Sequence, residues 1–198
     1  MIYISKMSGK LKGLYSINVN PLITDFCINM HKSKNDKVIC KKCYSIRILK
    51  TLRQNCIPNF TKNYYTLSES IIDKSDLPKI KHKYFRFNSH GELINNNHLI
   101  NYINICNKNP NTQFTLWSKR TDIINKVLSE YKKPKNLILI YSNPIIDTIT
   151  DKPNKYFDKV FNVIQEKDIK VNCGKKKCID CLLCYKHNKV NTIIEKLK

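Results

Sequence analysis

Four cysteines stand in one short run, Cys173, Cys178, Cys181 and Cys184, inside the segment VNCGKKKCIDCLLC. The spacing C-x4-C-x2-C-x2-C is too dense for packing alone and asks this segment to wrap around an inorganic centre. Evenly stepped cysteines can set thiolates on the corners of an iron–sulfur cubane. Structural zinc more often takes two separated pairs held on two knuckles, so the spacing favours iron–sulfur and leaves zinc as the alternative. The counter-reading is a group of reduced thiols with no metal.

A chain of 198 residues with 41% hydrophobic content can bury a core without staples. It shows no secretory leader pattern and no run of about 18 apolar residues, which argues against export and against a membrane partner. Nine cysteines then point to a reducing compartment, hence to the cytoplasm, that of a host cell if the chain is viral. The formal net charge of +21 raises RNA, DNA or a nucleotide as a partner. Only Arg47, Arg53, Arg86 and Arg120 carry the guanidinium that specific readers use for bidentate contacts. The charge therefore supports salt-sensitive attraction to polyanions, and a solvated lysine surface is the plain counter-reading.

Patterning alternates β-branched and aromatic runs with helical ones, as in βαβ units around a parallel sheet. Strands are expected at Gly13 to Asn20, Tyr84 to Asn88, Gln113 to Trp117, Leu137 to Tyr141, Val160 to Ile164 and Ile169 to Asn172. Helices are expected at Tyr44 to Gln54, Asn96 to Asn107 and Thr121 to Tyr131, with a closing helix around Val190 to Ile194. Six strands suggest an α/β fold with a partial (βα)6 TIM-like barrel over residues 1–172, and a cysteine-rich cluster-binding tail over 173–198 packed on it. A doubly wound sheet is the runner-up. Both architectures collect their sites at the carboxyl ends of the strands. There the chain places Cys27, Cys40 and Cys43, then Asn88 to Glu92, Ser118 to Arg120, Ser142 to Pro144, Gln165 with Glu166, and Cys173. One rim would hold both cysteine groups.

Cys27, Cys40 and Cys43 read C-x12-C-x2-C, and a helix begins directly after Cys43. Three thiolates leave one coordination position open on a cubane or on zinc. The helix start favours thiolate at Cys43. Cys56 or His31 could close the site, although Cys56 would stand roughly 18 Å from Cys43 along a continuous helix.

The segment FRFNSHGELINNNHLINYINI, a strand ending in a small polar loop and then Gly91 and Glu92, resembles the second strand of radical S-adenosylmethionine enzymes. Their Gly-Gly-Glu loop receives the amino group of that cofactor's methionine part. His90 replaces the first glycine, no proline follows Glu92, and the first gap of the cysteine motif is longer than the usual C-x3-C-x2-C. The resemblance implies a 4Fe–4S cluster on Cys27, Cys40 and Cys43, S-adenosylmethionine against Gly91 and Glu92, and an auxiliary cluster on the terminal cysteines, so one or two clusters in all. Cys40 to Tyr44, Phe85 to Glu92, Thr115 to Arg120 and Cys173 to Cys184 together resemble, more closely and over most of the chain, the phage-encoded gene product eighty-eight family. This resemblance implies a viral or mobile-element origin with iron–sulfur binding.

Two functions follow as expectations. One is a radical S-adenosylmethionine-like enzyme modifying a nucleic acid or nucleotide; the other is a non-catalytic zinc or iron–sulfur protein that binds nucleic acid. A barrel that has lost the cofactor is a third form. Among single residues, Glu92 could accept from an ammonium or simply favour a helix start. Ser142 and Asn143 could hold a ribose or form the turn before Pro144. Lys119 and Arg120 suit an anion or a surface pair. Cys106, on an apolar helix face, reads as core.

Overall fold

The computed structural model describes residues 1–165, 169–174 and 176–197. Seven strands form one sheet in chain order: β1 (Ser5–Lys6), β2 (Tyr15–Ile17), β3 (Tyr84–Phe87), β4 (Gln113–Ser118), β5 (Leu137–Ser142), β6 (Lys159–Ile164) and β7 (Thr192–Lys196). β1 runs antiparallel to β2 and every later pair is parallel. Parallel crossovers are right-handed almost without exception, so a sequential strand order sends successive connections to the same face.

Alternation along the strands shows what each face buries. Phe85, Phe87, Phe114, Leu116, Leu137 and Leu139 join the main core beneath α3 (Ile57–Ser68), α4 (Asn96–Lys108) and α5 (Thr121–Glu130). Phe87 stacks on Phe114 with centroids 5.0 Å apart and on Tyr102 of α4 at 3.9 Å. The intervening Tyr84, Trp117, Ile138 and Ile140 point the other way, into a second cluster with Leu14, Phe161 and Ile193. Among the described residues no long helix covers that face. The tail does, through Ile179, Leu182, Leu183, Cys184 and Tyr185, which is why a segment dense in lysine still carries an apolar IDCLLCY run.

The expected partial (βα)6 barrel is corrected to an open mixed sheet of seven strands, whose edges β1 and β7 do not meet. The repeating unit also lapses. Among the described residues, the connection from β5 to β6 carries no helix, and that from β6 to β7 carries only α6 (Cys178–Cys181). The expected closing helix at 190–194 is β7 instead, because Thr192, Ile193 and Ile194 are β-branched and pair with β6. The expected strand at 169–172 is irregular. Asn172 and Cys173 give their amides to the Ile194 carbonyl at 3.2 and 2.9 Å, and one isolated bridge joins Cys173 to Glu195. Glu166 lies outside the described residues. Among those described, no helix is long and apolar enough to cross a membrane.

Candidate functional site

The carboxyl ends of β3 to β5 open into a cleft of about 370 Å³, lined by Cys27, Cys40 and Cys43 on one wall and Cys173, Cys178 and Cys184 on another. Cys27 sits in α1 (Asp25–His31), Cys40 in a 3₁₀ turn (Ile39–Lys42), and Cys43 directly precedes α2 (Tyr44–Lys50). Residues 32–42 reach the cleft because they are clamped to the loop after β5. Ile39 donates to the Pro144 carbonyl and Ile146 to the Lys37 carbonyl, each at 2.8 Å. A ring nitrogen of His31 lies 2.9 Å from the Cys40 carbonyl and ties α1 to the same turn. His31 therefore holds the turn through backbone, and Cys56 does not line the cleft.

The loop after β3 is built for close approach. Asn88 takes φ 52° and Gly91 φ 87°. A Cβ on Gly91 would lie 2.4 Å from Val19 Cγ2 and 2.5 Å from the Val19 carbonyl oxygen. The Glu92 carboxylate is buried and faces inward. Its Oε1 accepts from the Ser118 hydroxyl at 2.7 Å and the Leu93 amide at 2.8 Å, and Oε2 accepts from the Lys119 amide at 2.9 Å. It thus pins the end of β4 to the end of β3, and it also lines the cleft.

Lys119 donates Nζ to Ser142 Oγ at 3.0 Å, and both side chains face the cleft. Asn143 does not line it. Its amide donates to the Thr148 carbonyl and hydroxyl and to Asn162 Oδ1, and its Oδ1 accepts from the Ile145 amide, so it shapes the loop that carries the Cys40 turn. Arg120 spends its guanidinium on Asp122 and on the Leu93 and Ile94 carbonyls. Cys106 is packed core, as its helix face suggested.

Two cations were not legible as site residues. Arg86 lays its guanidinium over the Trp117 ring at 3.7 Å, and its buried Nε has no partner among the described residues. Strand alternation could have flagged it, since it points away from Phe85 and Phe87. Lys10 donates Nζ to Cys173 Sγ at 3.1 Å and to Glu195 Oε1 at 2.6 Å; nothing in the sequence marks this lysine among the others.

Burial is the largest influence on the thiols of Cys27, Cys40, Cys173, Cys178 and Cys184. It pushes Cys184 up to about 12, against a downward pull from Arg86. It also raises Cys27 and Cys40 beside Glu92, Cys173 beside Glu195, and Cys178 beside Cys173. Lys119 shows the balance from the other side. Burial alone would lower it, yet Cys40, Glu92, Cys27 and Cys43 together raise it. Each cysteine group thus faces a cation: Lys119 for the first, Arg86 and Lys10 for the second.

All four tail cysteines also line one adjoining cavity of about 500 Å³. As placed, no three His, Cys, Asp or Glu side chains among the described residues converge closely enough to hold a single metal ion. Tetrahedral zinc draws its sulfurs to about 2.3 Å from one point. A cubane takes one thiolate per iron corner and so accepts a wider spread. A family model described as "Gene product 88" matches residues 25–195. No curated protein and no solved structure gives a match.

Proposed function

The chain belongs to the gene product 88 family, and we propose that its cleft is an iron–sulfur site with one or two 4Fe–4S centres. The observation that carries this reading is the gathering of six cysteines, from both ends of the chain, around one cleft with cations beside each group. Cys27, Cys40 and Cys43 would hold a centre with one corner left open. Cys173, Cys178, Cys181 and Cys184 would close a second. Thiolates in a half-buried site need compensating charge, and Lys119, Arg86 and Lys10 stand where that charge would gather. With such a cluster bound, its open iron would supply one electron to a ligand held beside it. The chain's own part is to seat that ligand against Arg86, Trp117 and Ser142 and to exclude water with the apolar tail. S-adenosylmethionine, against Gly91 and Glu92, is the co-substrate that the loop sequence suggests. Gly91 also meets Val19 closely, and Glu92 already accepts from Ser118, Leu93 and Lys119, so the cofactor's ammonium would share the carboxylate with these protein donors. A nucleic acid or nucleotide is the substrate class, in the cytoplasm of a host cell.

The cavity lined by all four tail cysteines favours a second reading for the tail alone, a structural zinc or iron–sulfur centre that fixes the tail over the sheet. Anaerobic reconstitution with iron and zinc counting distinguishes these. The wild type should retain iron, and Cys43→Ala and Cys181→Ala should each lose about four irons. Stoichiometric zinc in place of iron, or no iron at all, sinks the iron–sulfur reading. Cleavage of S-adenosylmethionine under reduction tests the co-substrate separately.

A further inference from the structure

Beside the cleft runs a wider groove of about 880 Å³, and the two share Lys10, Cys43, Ser89 and Glu195 in their walls. Its far wall is α2 with the turns before and after it, carrying Lys42, Arg47, Lys50 and Arg53. Among the described residues none of these four has a carboxylate partner. The groove's own acid, Glu195, is bonded to Lys10. Two of the chain's four arginines fall here, in a protein otherwise supplied with lysine. In their midst Tyr44 stands 56% exposed, with the Arg47 guanidinium 5.8 Å from its ring. A large aromatic left in water among unpaired cations is the combination that takes up a single strand: phosphates on the cations, a base on the ring. A duplex hides its base faces and gains nothing from Tyr44.

We propose that this groove binds the backbone of single-stranded nucleic acid and leads it into the cleft. That the strand is delivered for chemistry rests on the iron–sulfur reading above; that the groove binds it does not. Lys42 and Arg47 neutralise phosphates, Tyr44 stacks a base, and the cleft admits one nucleoside-sized group beyond Cys43.

Fluorescence anisotropy with labelled oligo-dT and oligo-U of about 20 nucleotides, on reconstituted protein of measured iron content, tests it. Lys42→Ala/Arg47→Ala should weaken binding about 10-fold and lower the salt slope by about 1.4, at about 0.7 per phosphate contact. Tyr44→Ala should weaken it about 5-fold or more with the slope unchanged. Lys132→Ala/Lys135→Ala removes equal charge just before β5, at the opposite end of the sheet, and should leave both quantities near wild type. The proposal is overturned if the two double variants lose affinity equally, if Tyr44→Ala binds like wild type, or if a duplex of the same length binds more tightly. Binding that follows this pattern in protein that retains no iron after reconstitution upholds the groove, while the failure to retain iron removes the iron–sulfur reading.

Discussion

Gly91→Ala should destabilise the protein by about 2–5 kcal/mol. Two costs add. A left-handed φ of 87° is strained by about 1–2 kcal/mol for an L residue with a Cβ. The new Cβ also overlaps the Val19 side chain and carbonyl at 2.4 and 2.5 Å, and overpacking against a backbone atom costs about 1–3 kcal/mol. Backbone cannot rotate away as a side-chain tip can, so the loop must move. The Val19 amide then loses the His90 carbonyl, now 3.2 Å away, and Glu92 is drawn from Ser118 and Lys119. Urea denaturation of Gly91→Ala beside Gly174→Ala checks this. Gly174 has open space where its Cβ would go and should change stability by no more than about 0.5 kcal/mol. A Gly91→Ala protein within about 1 kcal/mol of wild type would refute the close-approach account.

Acid should unfold the protein through two buried histidines. His98, in α4, is fully buried; its Nδ1 accepts from the Ile94 amide at 3.3 Å and its Nε2 has no partner among the described residues. Burial lowers it from the ordinary 6.5 to about 3. His90 packs beside Phe60 with centroids 5.5 Å apart, and burial, then Arg53 and Arg86, lower it to about 4. Both are neutral in the fold and take up a proton near 6.5 once unfolded. Below that pH the unfolded chain binds more protons, so stability is fully present above 6.5 and is lost as pH falls toward 4. Each histidine contributes a slope of about 1.4 kcal/mol per pH unit. Over that range the pair removes on the order of 5 kcal/mol, comparable with the whole stability of many domains. The urea midpoint should therefore fall steeply between about pH 6.5 and about pH 4.5. In His98→Leu the slope should drop by about one proton. A midpoint that holds flat across this range would show that the rings are protonated or solvated in the fold.

Much of the architecture was legible along the chain, and for one reason. Periodicity is local, so YFRF, QFTLWS and LILIY declared their strands, and NNHLINYINICNK declared a helix with Cys106 inward. The helix after Cys43 begins where the sequence put it, although it ends at Lys50. The terminal TIIEK misled because five β-branched and polar residues fit a frayed helix or an edge strand until β6 is there to pair with. Barrel against open sheet was equally undecidable, since closure depends on how strand edges meet and no single segment records that.

The site divides in the same way. Residue chemistry by itself identified the thiols and placed both groups at the strand ends, because ligand spacing and strand direction are properties of the chain. Only tertiary structure decided which polar groups serve the cleft and which serve the scaffold. Asn143 and Glu92 look alike as polar loop residues, yet one braces a loop and the other joins two strand ends at the cleft wall. Arg86 and Lys10 entered because a cation's role depends on which charge lies across from it in space. That neighbour comes from residues tens or hundreds of positions away, and sequence order carries no distance between them.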